Sequence, residues 1–124
     1  MGMLKRQLGN ICIFEINEHV ASSKVASKYK DSLLEQLTGN EQAIIIDCRR
    51  ISYIDTVFLG AMVFALKKGA KQAKISFVND KADSQIWTIF ETNNLKAFFN
   101  VFETLDDAIG YVHLPENKNL KIAN

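Results

Sequence analysis

An excess of charge of either sign is missing from this sequence. Its 15 lysines and arginines stand against 14 aspartates and glutamates, for a formal net charge of +1. The cations are scattered, so neither nucleic acid nor an anionic membrane surface is an implied partner. Cysteine is scarce as well. Cys12 and Cys48 each sit inside an apolar run, with no Cys-x-x-Cys and no second ligand at metal spacing. This predicts two buried free thiols in a reducing cytosol and no bound metal. The two histidines, His19 and His113, fall in a predicted loop and at the end of the last predicted helix. Neither has the nucleophile and orienting group that nucleophilic catalysis requires. No pair of carboxylates stands out as acid and base. Leu59-Gly60-Ala61 holds one glycine and no following Lys-Ser/Thr, so a phosphate cradle is absent too. The reading is therefore of a non-enzyme without catalytic residues or cofactors. The longest apolar run contains Gly60 and is far too short to span a bilayer, and residues 1–7 lack the apolar core of a signal peptide. A soluble, cytoplasmic protein without membrane insertion is expected. There is no internal repeat and no low-complexity tract.

What is present is an ordinary globular composition, 48% apolar and 23% charged, in 124 residues, enough for one domain with its own core. Residues 3–8 read as a strand. Gly9-Asn10 suits a two-residue type II′ turn into a second strand, residues 11–16, so the first pair should be antiparallel. After a polar connection at residues 17–23, Ser22 or Ser23 caps a helix with Val25, Tyr29, Leu33 and Leu37 on its apolar face. Gly39 is suited to that helix's left-handed C′ position. Residues 43–48 form the clearest strand, β-branched as a strand buried on both faces requires. A helix over 56–68 follows, stopped by Gly69. A strand over 74–78 comes next, then a helix capped by Asp80 or Asp83 and ended by Asn93-Asn94. An extended piece over 98–102 and a last helix capped by Thr104 complete the pattern. A single domain over residues 1–114 and a mobile tail over 115–124 are expected. The class is α/β, with an N-terminal β-hairpin, then alternating helices and strands, giving a mixed central sheet with about four helices.

The chain is organised around residues 54–61, Ile-Asp-Thr-Val-Phe-Leu-Gly-Ala. Asp55 is a good N-cap, because its carboxylate can accept from the free amides of the first turn. Thr56 then becomes the first helical residue, with its hydroxyl at the positive end of the helix dipole. Such a pair is commonly only a cap. The helix is apolar nearly all round. Leu59, Met62, Val63 and Leu66 share one face, while Val57, Ala61, Phe64 and Lys68 share the opposite one, with Phe58 and Ala65 between. The second group is either covered by a neighbouring helix, with Phe64 as core, or left as an exposed patch that marks a binding surface.

Ile54-Asp55-Thr56 followed by Leu59-Gly60-Ala61 resembles the Asp-Ser-Ser-Gly-Leu-Gly signature of STAS domains, the family of bacterial anti-sigma factor antagonists. Residues 89–95, Ile-Phe-Glu-Thr-Asn-Asn-Leu, are similar to that family's Leu-Phe-x-x-Ser/Thr-Gly-Leu turn. Residues 102–108 are similar to its Phe-x-Ser-x-x-Glu-Ala ending. The resemblance covers roughly residues 4–113. It implies a STAS-like fold and a phosphorylation site at Thr56. It also implies that an anti-sigma factor, or a related serine/threonine kinase-type switch protein, binds the dephosphorylated form and is released on phosphorylation. The partner surface is expected at Ser22, Ser23, Asp55, Thr56, Val57, Phe58, Ala61 and Phe64. The oligomeric state is left open. The chain departs from the pattern at Val57 and Phe58, where the family carries small residues, and at Val20, where it often carries Asp. Bulk beside the hydroxyl gives weight to a second reading, a non-switching STAS scaffold of the stressosome-like or lipid-transporter-associated kind. A third reading, a phosphoacceptor receiver domain, would use Asp47 at the end of its strand. It lacks a convincing acidic pair, since Glu15 and Glu18 fit poorly, and lacks a Lys ending a later strand.

Overall fold

The computed structural model describes residues 2–81, 85–97 and 99–113, without the side chain of Ala97. A five-stranded sheet forms its centre. The strands are β1 (Gly2–Leu8), β2 (Ile11–Asn17), β4 (Ala43–Asp47), β6 (Lys74–Val78) and β7 (Asn100–Phe102), in the order β1-β2-β4-β6-β7. The first two run antiparallel, with Leu8 opposite Ile11. The other neighbours are parallel. Gly9 takes a φ of 61° in the connecting turn. It is the one turn position with positive φ, as a type II′ turn requires, so the expected hairpin forms.

Side-chain alternation divides the core in two. Cys12, Phe14 and Ile16 of β2, Ile44 and Ile46 of β4, and Phe77 of β6 point to one face. That face is covered by α1 (Ser23–Gln36), α2 (Thr56–Gly69) and α3 (Gln85–Thr92). Ile11, Ile13, Ala43, Ile45 and Val78 point to the other, where they meet Ala108, Leu105, Ile109 and Val112 of α4 (Leu105–Val112). The period of two along each strand thus explains why β2 and β4 are apolar over most of their length: each serves two cores. On the larger face Phe77 makes edge-to-face contacts with Phe90 and Phe99, at centroid distances of 5.1 and 5.9 Å. Both cysteines are buried and free. Burial raises the Cys48 thiol well above its ordinary range, with the neighbouring Asp47 charge adding to the effect.

Several local expectations are corrected. The polar connection over residues 17–23 contains a short strand, β3 (Val20–Ala21), which pairs in parallel with a second one not foreseen, β5 (Tyr53–Ile54). Two-residue strands leave no usable periodicity, so the alternation rule is blind to them. Gly39 has a φ of 88° but does not cap α1. The C-cap is Leu37 in an extended conformation, and Gly39 serves a turn in which the Glu41 carboxylate accepts from the amides of Thr38 and Gly39. Gly69 does not stop α2 but belongs to it. A β-carbon there would lie 2.9 Å from Leu37 Cδ1, so the glycine allows α1 and α2 to approach closely. Asn94 is left-handed, with a φ of 58°, as expected for the end of α3. Thr104 caps α4 by accepting from the Asp107 amide. The extended piece expected over 98–102 begins later, after a 3₁₀ turn at Leu95–Ala97. The Asp83 cap and the tail over 115–124 lie outside the described residues.

Candidate functional site

The small β3–β5 ladder determines the site. Val20 pairs with Tyr53 and Ala21 with Ile54. The Asp55 amide then donates to the Ala21 carbonyl at 3.2 Å. Two adjacent parallel strands therefore lead directly into α1 and α2, and the two helices begin side by side. Gln85 at the start of α3 accepts from the Ile54 amide at 2.9 Å, tying a third helix to the same ladder.

Asp55 joins the two starts. One carboxylate oxygen, Oδ1, accepts from the Phe58 amide of α2 at 2.9 Å. The other, Oδ2, accepts from the Ser23 amide of α1 at 3.0 Å. A single side chain thus satisfies orphan donors of two helices, in the field of two positive helix ends. Ser22, not Ser23, is the N-cap of α1, accepting from the Lys24 amide at 3.3 Å. Further along α1, the Tyr29 hydroxyl donates to Glu18 Oε1 at 2.7 Å. Burial, reinforced by that carboxylate, pushes Tyr29 well above its ordinary range.

Thr56 is exposed at the first position of α2. Val57 and Phe64 are exposed as well, at 56% and 51%, so the outer stripe of α2 is open to solvent and α1 does not cover it. Ala61 between them is partly buried. Phe58 corrects the expectation of a surface role. It is 1% exposed, and its ring meets Tyr29 edge to face at 5.4 Å. Its place between the two stripes turns it under α1, so Phe58 holds the helices together and cannot contact a partner. Ser22 is partly buried and Ser23 exposed.

The structure adds residues that the expected partner surface did not include. Val20 and Tyr53 are exposed apolar side chains on the ladder that leads into the helices. On the other flank of Thr56, a cleft of about 180 Å³ runs between α2 and α3, lined by Thr56, Leu59, Gly60, Val63, Ile89 and Leu95 among others. The Asn93-Asn94 turn was the available signal, since it sets where α3 ends beside α2. A larger cleft, about 710 Å³, lies at the opposite end of the parallel strands. It is lined mainly by polar residues such as Asn10, Asn40, Glu41, Gln42 and Lys74, and includes none of the expected site residues.

Asp47, the residue of the receiver reading, is buried and engaged. Arg49 donates from Nε to Oδ1 at 2.9 Å and from a terminal nitrogen to Oδ2 at 2.8 Å. This bidentate hydrogen bonding is the leading cause that raises the Arg49 guanidinium above its ordinary range. Glu15, the register partner of Asp47, is held by Arg50 at 2.9 Å. Each carboxylate is matched by its own arginine. Among the described residues no group of three or more His, Cys, Asp or Glu side chains is placed to hold a metal ion. No helix of the described residues is long and apolar enough to cross a membrane.

A search of curated proteins finds no match for this chain. Solved structures share its fold. An anti-sigma factor antagonist from Mycobacterium paratuberculosis superposes with a TM-score of 0.75 at 16% identity, over 90% of this chain and 93% of that one. A STAS domain protein from Planctomyces limnophilus gives 0.76 at 10% identity, over 92% and 100%. The phosphorylated form of a Bacillus cell fate determinant gives 0.63 at 14% identity, over 90% and 100%. A family model described as the STAS domain matches residues 3–108, and the chain therefore belongs to the STAS domain family.

Proposed function

We propose that this protein is a non-enzymatic regulatory domain of the anti-sigma factor antagonist type, acting in the cytoplasm. In its unmodified form it binds an anti-sigma factor or a related serine/threonine kinase-type switch protein. Phosphorylation of Thr56 releases it. The observation that carries this reading is the exposed Thr56 hydroxyl at the start of a capped helix, directly beside the exposed Val57 and on the same helix as the exposed Phe64. A phosphate on Thr56 adds about −1.5 to −2 charges at neutral pH. The two adjacent helix starts tolerate that charge within the domain. A partner surface closed over it does not, because an unpaired buried charge costs several kcal/mol, enough to shift affinity by orders of magnitude. The similarity in fold to a determinant solved in its phosphorylated form supports this fold as one that can carry a phosphate.

A second reading, a non-switching scaffold, is favoured by one observation: the bulk of Val57 stands beside the hydroxyl a kinase must reach. Incubation with ATP and the cognate kinase, followed by intact-mass and peptide mapping, separates the two. The switch reading expects one phosphate, located on Thr56 and absent from Thr56→Ala. A chain that stays unmodified under conditions where the kinase labels another substrate contradicts it and leaves the scaffold.

A further inference from the structure

Phe64 is exposed but not bare. The Lys30 ammonium of α1 and the Lys68 ammonium of α2 both lie over its ring, each 5.8 Å from the centroid. Two cations from two helices thus converge on one exposed aromatic ring. The two helices that carry them are net positive. Along the two helices the cations are Lys24, Lys28, Lys30, Lys67 and Lys68, and the anions are Asp31 and Glu35, both on α1. Helix α2 carries no acidic residue. Asp31 approaches Lys30 only to 3.8 Å, in an exposed pair. The outer stripe therefore has two ends of different character. Near Thr56 it is uncharged, with Val57 and Ala61 on α2 and, by helical spacing from Ser23, Ser27 on α1. Near Phe64 it is apolar and cationic.

We infer that the partner docking on this face presents an apolar side chain bracketed by carboxylates, which seat on the Lys30–Phe64–Lys68 cluster. The inference rests on the reading of this face as the docking surface next to Thr56. It adds to the switch: helical rise puts Phe64 about 12 Å from Thr56, so at low salt a phosphate on Thr56 repels carboxylates seated on the cluster, in addition to its desolvation cost, and salt screens that repulsion. A neutral or basic partner would not be repelled in this way.

The test uses three synthetic amphipathic helical peptides, each with a leucine flanked one turn before and after by Glu, by Gln or by Lys. Each is titrated into the full chain and followed by NMR at the Phe64 ring and the amides of Lys30 and Lys68. The Glu peptide is expected to shift these signals, with an affinity that falls steeply as salt rises from about 50 to about 500 mM. The double variant Lys30→Gln/Lys68→Gln should weaken it by about three- to tenfold. Thr56→Glu should weaken the Glu peptide and leave the Gln peptide unchanged. Equal shifts by the Gln or Lys peptide, shifts centred elsewhere, or no shift at millimolar Glu peptide would overturn the inference. Kinase labelling of Thr56 is read independently. A labelled Thr56 with no acidic preference rejects the partner chemistry alone, whereas an acidic preference without labelling rejects the switch and leaves the docking chemistry standing.

Discussion

Replacing Asp55 tests the architecture of the site at its narrowest point. Its two carboxylate oxygens accept from amides at the starts of different helices, Phe58 at 2.9 Å and Ser23 at 3.0 Å. Asp55→Ala removes both bonds. Loss of an N-cap costs about 0.5–2 kcal/mol, and the second bond, from the exposed Ser23 amide, adds about 1 kcal/mol, solvent keeping it below the range of buried bonds to charged groups. The expected total is about 1.5–3 kcal/mol. Asp55→Asn should fall between, because the amide keeps one acceptor oxygen and turns its NH2 group toward the other donor. Urea unfolding gives the totals, and amide hydrogen exchange assigns them. In Asp55→Ala both the Ser23 and Phe58 amides lose protection. In Asp55→Asn only one does. A loss below about 0.5 kcal/mol in Asp55→Ala, with Ser23 exchange unchanged, would refute the claim that one side chain joins the two helices.

Leu59→Ala should destabilise by about 2–5 kcal/mol in urea unfolding, since Leu59 is fully buried under the sheet. Phe64→Ser should leave Tm within about 2 °C, as expected for a surface change, while abolishing partner binding in a titration; a large fall in Tm would place the ring in the core. Gly69→Val should cost about 1–3 kcal/mol in the same assay by forcing side-chain atoms against Leu37. Stability should also fall in alkali. Burial raises both Cys48 and Tyr29 in the folded state, so their contribution is complete below the unfolded values of about 8.5 and 10 and declines as pH rises above them toward the folded values. A Cys48→Ala/Tyr29→Phe variant should show a flatter decline in pH-dependent urea unfolding.

Residues with strong periodicity or distinctive cap chemistry were legible in the sequence. The β-branched run of β4, the Gly9-Asn10 turn, the Asp55 and Thr104 caps and the left-handed Asn94 all follow from local physics. The exposure of Phe64 was left open: the sequence shows α2 apolar on two faces but not whether α1 covers the second stripe, and it does not. Phe58 was harder. Its position between the two stripes gives no preference, and only the placement of Tyr29 decides that it turns inward. The second hydrogen bond of Asp55 was not legible, because Ser23 lies 32 residues away and is brought close by a two-residue ladder. Gly39 and Gly69 were misplaced for a related reason. A glycine signals that a side chain is unwelcome, but not whether a turn or a neighbouring helix excludes it.

The central claim is that a phosphate on Thr56 releases a partner held by the unmodified protein. The most direct measurement is the affinity of one anti-sigma or switch-kinase partner for the stoichiometrically phosphorylated chain and for the unmodified chain, by calorimetry under identical salt. The account predicts that phosphorylation weakens binding by about a hundredfold or more, the equivalent of about 3 kcal/mol. Affinities equal within about twofold, a difference below about 0.5 kcal/mol, would contradict it.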